Sequence, residues 1–538
     1  MKSIFTRTQN TILSAAFVLF VSSGVSAILG IFKNRLLAAK FGVSDELAVF
    51  YTADRIPGLV YSVLVVGALS TIFIPVFAEE LKKNKEKAFL TASTLINTVF
   101  LFFLFFSTLI WLFSEQIINL LSVGKFTHEQ VVLGALLMKY MLFAQMLLVA
   151  GSLASSVLQS FKQFLMPALA PVAYNVGMIA GIYFFSSRYG ILAPAIGALI
   201  GSAAHFLIQI PFLMRTGFRL SLGIDFKNRS FNQVAGLAPP RIASVLITNL
   251  LATINNSLAI LISSAAVIYL KFGIQLQTFP VTLFGASIAA ASLPTLSSES
   301  DEHNLTQFKK TFLTSFHQMM FLVLPASVIL LVLRIPVVRL VYGVANFPWE
   351  ATVNTGLVLG VLTLSIFPQS ANYLISRAFY ALKDTSTPVK ISAVTIVINV
   401  VLSLFFINTL KWGVWAVAVS YAVTSALDTL LMLIALSHKV SGLKLRDLVM
   451  PFMKMALAAA LMGITLYLPI KLLDQVIFDT TKTLNLIFLT GIAGFCGLAT
   501  YFLFTKMLNI PEVELFYKLI RKLDLRETKV SPPTESLQ

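Results

Sequence analysis

The sequence predicts an all-α polytopic membrane protein: about fourteen transmembrane helices, forming two pseudo-symmetric six-helix lobes plus two C-terminal helices. Three observations carry that prediction. The 538 residues are 57% hydrophobic and 12% charged, against about 25% charged in an ordinary globular domain. Apolar runs of roughly 20 residues, the length that crosses a bilayer core, recur from end to end. The chain also repeats itself about 220 residues apart: Lys162 and Pro167 return as Lys383 and Pro388, both displaced by 221 positions. Phe126 returns as Phe347, Gly67-Ala68 with Pro75 as Gly285-Ala286 with Pro294, and Gly190 with Ala195 as Gly413 with Ala418.

The expected spans lie near 12–31, 50–77, 88–112, 131–157, 167–185, 191–213, 236–262, 264–296, 312–333, 352–376, 387–409, 413–436, 449–470 and 484–505. The repeat pairs the first six with the next six. Six is even, so both halves enter from one side, and a parallel duplication around a midline cavity is a common plan for secondary transporters. Residues 1–230 and 231–440 are the expected lobes, 441–510 hold the two added helices, and 511–538 form a basic amphipathic helix and a polar, disordered tail. Lys2 and Arg7 precede an apolar run that lacks a small-x-small cleavage site, which reads as an uncleaved first span.

A net charge of +17 does not imply nucleic acid here. Lys82, Lys83, Lys85, Lys87, Arg215, Arg219, Lys227, Lys309, Lys310, Lys439 and Lys444 all fall in loops on the side of the N-terminus. Outer loops hold far fewer cations, so the positive-inside rule puts both termini in the cytoplasm. Cys496 is the single cysteine, which excludes an internal disulfide and leaves thiol chemistry unsupported. A P-loop, a nucleophile elbow and metal-ligand spacing are all missing from the sequence, which argues against an enzyme.

Ionisable residues inside spans are expensive and become site candidates. Lys33, Asn34 and Arg35 end the first span, and Asp54 and Arg55 begin the second, where they either anchor span ends or line a cavity for an anion. Lys139 and Lys271 are embedded in apolar sequence, with Gln275 one turn beyond Lys271. Arg241 follows Pro239-Pro240, where a helix break would free carbonyls for it. Asn249, Asn255 and Asn256 line the seventh span, for interhelical hydrogen bonds or an ion. His205 and Asp428, 223 positions apart, read as a satisfied polar contact in each lobe or as a proton relay.

Leu37-Ala38-Ala39-Lys40-Phe41-Gly42, Arg55-Ile56-Pro57, and Gly67-Ala68-Leu69-Ser70 with Phe73-Ile74-Pro75-Val76-Phe77-Ala78-Glu79 resemble the N-terminal signature of the MurJ/MviN lipid II flippases. Phe279-Pro280, Leu293-Pro294-Thr295-Leu296-Ser297 and Arg377-Ala378-Phe379-Tyr380-Ala381-Leu382-Lys383-Asp384-Thr385 resemble later signatures of that family, within the multidrug/oligosaccharidyl-lipid/polysaccharide exporter superfamily. The resemblance implies a V-shaped cavity between two lobes and a lipid-tail groove formed by the last two spans. It implies movement of undecaprenyl-pyrophosphate-linked peptidoglycan precursor from inner to outer leaflet by alternating access, in the bacterial cytoplasmic membrane beside the cell-wall synthesis machinery.

By that alignment the family's cavity arginines fall on Ala27 and Lys33 in the first span, on Ser62 or Tyr61 in the second and on Gln275 in the eighth. The family's second-span glutamate falls on Val66, and an acidic neighbour of the first-span cation falls on Asn34. The expected substrate-binding residues are therefore Lys33, Asn34, Arg35, Arg55, Ser62, Lys271 and Gln275, with Arg35, Arg55 or Lys271 replacing missing cations. A sodium site of some relatives maps to Asn255, Asn399 and Ser403, where one carboxylate fewer implies weak binding. The resemblance implies no cofactor, with energy from the membrane potential or a monovalent cation. A related polyprenyl-glycolipid or drug exporter, and a non-transporting envelope scaffold, remain the alternatives.

Overall fold

The computed structural model describes residues 12–66, 73–301, 305–440, 442–473 and 482–514. The described residues are nearly all helical. In order they form α1 (Ile12–Phe41), α2 (Asp45–Ala53), α3 (Arg55–Tyr61), α4 (Ile74–Lys83), α5 (Lys85–Leu112), α6 (Ser114–Leu121) and α7 (His128–Ser160). There follow α8 (Leu165–Tyr189), α9 (Leu192–Leu207), α10 (Ile210–Arg215), α11 (Arg229–Ile262), α12 (Ser264–Pro280), α13 (Ser287–Ser298) and α14 (Leu305–Val332). The remainder are α15 (Arg334–Tyr342), α16 (Trp349–Thr363), α17 (Ile366–Ala381), α18 (Ser386–Asn408), α19 (Trp415–Lys439), α20 (Leu445–Leu473) and α21 (Thr483–Met507).

Short polar side chains start several of these helices by capping free N–H groups. Ser44 accepts from Leu47 N at 3.2 Å, and Asn84 accepts from Glu86 N and Lys87 N at 3.0 Å each. Thr127 and Gln130 form a reciprocal capping box at the head of α7.

Eleven helices among the described residues are long and apolar enough to cross a membrane, and the pair α16 and α17, bent by 44°, makes a twelfth. The expected count of fourteen is not reproduced by this measure. The second expected span, 50–77, is segmented: α2 yields to α3 at Asp54, and a π-helical stretch, Ser62–Val66, follows. Residues 67–72 lie outside the described residues, as does the expected amphipathic helix from 515 onward. The break expected at Pro239-Pro240 is not there either, since α11 runs through both prolines.

The duplication seen in the sequence persists in backbone geometry. Lys162 and Lys383 both take left-handed φ, 58° and 56°, just past the ends of α7 and α17. Each is followed by the same helix-ending bond, Gln163 N to Leu158 O at 3.0 Å and Asp384 N to Phe379 O at 2.9 Å. Val281–Ala286 is π-helical like Ser62–Val66, so the second helix of each repeat carries the same irregularity. Short π stretches tend to occur at functional sites.

Contacts divide the chain into two compact units. The first comprises Met1–Leu276, Val337–Leu362 and Thr385–Asp428. Within it α8 packs closely on α9 and α1 on α8, where Asn175 Nδ2 donates to Ser26 O at 3.2 Å and Oγ at 3.0 Å. Phe272 stacks on Tyr342 with centroids 4.2 Å apart. The second comprises Gln277–Pro336, Thr363–Asp384 and Thr429–Gln538. Here α20 and α21 pair and lie on α14, where Tyr501 OH donates to Phe321 O at 2.9 Å. His317 Nε2 meets Asp447 O at 2.8 Å, and its Nδ1 lies 3.7 Å from Glu512 Oε1.

Candidate functional site

The first unit gathers charge that is far apart in sequence. Lys33 near the end of α1, Asp54 and Arg55 at the α2–α3 junction, and Lys271 in α12 act electrostatically on one another. Three cations therefore share one carboxylate, and Asp54 closes no salt bridge with any of them among the described residues. Lys271 lies over the Tyr51 ring, its Nζ 5.3 Å from the centroid, a cation–π contact that orients the ammonium without neutralising it. Arg55 Nε donates to Asn256 Oδ1 at 3.3 Å, and Asn256 Nδ2 donates to Thr52 Oγ1 at 3.0 Å. That bond aims the guanidinium and leaves its two terminal nitrogens for a ligand among the described residues.

The other expected substrate residues take different parts. Asn34 Nδ2 donates to Gln275 Oε1, joining α1 to α12 one turn from Lys271. Arg35 Nη1 donates to Leu340 O and, at 3.2 Å, to Val341 O. It caps the last turn of α15, where a cation offsets the helix dipole, and so stands apart from the cationic group. Ser62 Oγ donates to Gly58 O at 2.8 Å within its own helix. Lys139 lies 4.9 Å over the Trp111 ring, a structural contact between α7 and α5.

Two residues escaped sequence reasoning as members of this group. Tyr51 precedes Arg55 by four positions and so shares its side of the α2–α3 segment, which was the available signal. Asn256 stood out only as a span-lining amide.

Asn255, Asn399 and Ser403 lie on α11 and α18, which pack together. All three are buried, and their Oδ1, Oδ1 and Oγ atoms lack a hydrogen-bond partner among the described residues. Orphaned buried oxygens are costly, and neutral oxygens of this kind suit a weakly held monovalent cation. Asp428 accepts from Ser392 Oγ at 3.3 Å and Thr395 Oγ1 at 3.0 Å, the satisfied contact foreseen for it. His205 is buried against Gly151, and its Nδ1 has no partner among the described residues.

Known proteins resemble this chain over nearly its whole length. The family described as Lipid II flippase MurJ matches residues 37–486. A probable lipid II flippase MurJ of Buchnera aphidicola subsp. Acyrthosiphon pisum is 26% identical over 92% of this chain and 97% of its own. The lipid II flippase MurJ of Thermosipho africanus is 27% identical over 85% and 91%. Among solved structures, a lipid II flippase MurJ in an inward closed conformation superposes with a TM-score of 0.76 at 25% identity, covering 94% of this chain and all of that one. An inward-facing multidrug MATE transporter of the MOP superfamily superposes with a TM-score of 0.66 at 13% identity, over 79% of this chain and 98% of its own, which speaks to the fold alone. With a family match that reaches from the end of α1 into α21, the chain belongs to the MurJ family of lipid II flippases.

Proposed function

We propose that this chain moves lipid II, the undecaprenyl-pyrophosphate-linked peptidoglycan precursor, from the inner to the outer leaflet by alternating access. The observation that carries the reading is the group Lys33, Arg55 and Lys271 with Asp54 as its single carboxylate. Three cations against one anion favour a ligand with about two negative charges, and a pyrophosphate diester supplies them. Arg and Lys are the usual partners of phosphate oxygens, Arg through a fork of two bonds and Lys as a point charge. A drug exporter for cations would need the opposite balance, and a scaffold has no need for a group of cations without salt bridges inside spans.

In the second unit Phe316, Phe367, Leu430, Ile434, Leu448 and Phe452 line an apolar cavity of about 390 Å³ that could take a lipid tail. These residues lie on α14, α17, α19 and α20, so of the two spans expected to form the groove only α20 contributes. The basic loops support a reading with both termini in the cytoplasm, the site in the bacterial cytoplasmic membrane and the peptidoglycan-polymerising machinery as the recipient of the flipped lipid. Coupling to the membrane potential supplies about 2.3 kcal/mol per charge per 100 mV.

Rescue of a bacterium depleted of its own lipid II flippase tests the reading, with lipid II exposure at the outer leaflet as the readout. Growth and exposure should both return. Failure of both in cells with verified membrane insertion, together with no lipid II movement by the reconstituted protein, would refute it.

Asn255, Asn399 and Ser403 would contribute oxygens to a coupling cation. Asn255→Asp adds the carboxylate that this chain lacks, and ligand charge count tunes cation affinity. Sodium affinity measured by calorimetry should rise roughly tenfold or more; an unchanged affinity would show that the three oxygens do not share an ion.

A further inference from the structure

The segment 216–228, which joins α10 to α11, is not helical, yet it does not hang free. It is strapped along α5 by side chains of that helix. Asn97 Nδ2 donates to Ser221 O at 2.7 Å and to Gly223 O at 3.1 Å. Ser221 N donates to Ser93 Oγ at 3.0 Å, Asp225 N to Thr94 Oγ1 at 3.3 Å, and Asn228 Nδ2 to Thr91 Oγ1 at 2.8 Å. The polar stripe of α5 thus serves the backbone of the strap.

The height of the strap on α5 matters. Lys82, Lys83, Lys85 and Lys87 mark the exposed basic end. Asn97 lies 12 residues beyond Lys85, about 18 Å along the helix at 1.5 Å per residue. At that level α5 already turns apolar side chains outward, with Leu90 below and Leu101, Phe102 and Phe105 above, all exposed. Ser93, Thr94 and Asn97 pair with the backbone of Ser221, Gly223 and Asp225, while other backbone groups of the strap stay open to water, as suits a segment in the polar interface rather than the hydrocarbon core. Phe218 packs on Phe89 of α5, with ring centroids 5.2 Å apart, but other apolar side chains of the strap are turned outward: Leu222 is 87% exposed, Phe226 63% and Leu220 51%, with exposed Met214 at the end of α10 beside them. Exposed Arg219 and Lys227 share the segment, with exposed Arg215 at the end of α10 beside them. An ordinary solvated linker explains neither the apolar exposure nor a polar stripe on a membrane helix.

We infer that the strap 216–228 is a lipid-docking element that inserts Leu222 and Phe226 among acyl chains and binds anionic phospholipid headgroups through Arg219 and Lys227, with Arg215 at the end of α10 beside them. The chemistry is that of an interfacial anchor, apolar side chains below and cations at headgroup level. It ties the connection between the repeats to the leaflet at the basic end of α5.

The test uses the full-length protein with Cys496→Ser and one new cysteine, Leu222→Cys or Phe226→Cys, carrying an environment-sensitive fluorophore. Vesicles of phosphatidylcholine with brominated acyl chains, with or without phosphatidylglycerol, provide the quencher, and a label at Phe105→Cys is the lipid-facing reference. Quenching at 222 and 226 comparable to that at 105 is expected, deeper with phosphatidylglycerol. Arg219→Glu with Lys227→Glu should abolish that extra quenching. Labels at 222 and 226 that respond to aqueous iodide and not to bromolipid, while 105 responds to bromolipid, would overturn the inference. So would quenching that phosphatidylglycerol leaves unchanged. The readout is lipid contact, so it stands apart from whether the protein flips lipid II.

Discussion

Lys271→Ala should lower lipid II flipping by reconstituted protein roughly 10- to 100-fold, with thermal stability close to that of the parent. A hydrogen bond to a charged group contributes about 1.5–3 kcal/mol, and each 1.4 kcal/mol or so is a factor of ten. Lys271 has no hydrogen-bond or salt-bridge partner among the described residues, so truncation strands no buried counter-ion. The Tyr51 ring would lose a cation–π contact, at most about 2 kcal/mol even when desolvated. Lys271→Arg should retain most of the rate, because charge rather than ammonium shape is at issue in a group that already holds Arg55. Lys139→Ala is the matched control: its ammonium rests on Trp111, outside the group, and flipping should persist. Equal loss in both variants would point to general destabilisation and remove Lys271 from the site.

Much of this molecule can be read from the chain, for reasons visible in particular residues. Lys162 and Lys383 betray the duplication because a non-glycine residue at positive φ is tied to one local geometry, and a copied geometry keeps its flanking residues. Lys33, Arg55 and Lys271 could be nominated because charge inside apolar runs is rare. Their assembly could not, since it depends on which faces of α1, α3 and α12 meet more than 200 residues apart. Arg35 illustrates the gap: its neighbour Asn34 reaches Gln275, whereas Arg35 itself is turned onto the carbonyls of α15. One residue along a helix is a rotation of about 100°, so adjacency in sequence separates their partners. The strap was equally hidden, because its hydrogen bonds join Ser221 and Gly223 to a helix that lies about 125 positions earlier.

Gly181→Leu should prevent accumulation of folded protein, seen as loss of the monodisperse peak in detergent and loss of rescue together. Gly177 and Gly181 on α8 cross Gly197 and Gly201 on α9 so closely that a Cβ on Gly181 would collide with the Cα of Gly197, and one on Gly201 with the carbonyl of Tyr174. These obstacles are backbone atoms, which cannot rotate away as a side-chain tip can. Overpacking commonly costs about 1–3 kcal/mol and more where backbones must part, against a total stability of about 5–15 kcal/mol. Membrane helices also lack a hydrophobic drive to associate, so close backbone approach through small residues supplies much of their cohesion. Gly491→Ala is the contrast, because nothing lies within 4 Å of a Cβ there, and it should be neutral or slightly stabilising. The second repeat solves the same crossing with different chemistry. At the offset of 223 that relates Gly190 to Gly413, the positions of Gly197 and Gly201 hold Ser420 and Thr424, and Thr424 Oγ1 accepts from Asn399 Nδ2 at 3.2 Å. A hydrogen bond joins the two helices there, and Asn399 Oδ1 and Ser403 Oγ stay buried without a hydrogen-bond partner among the described residues.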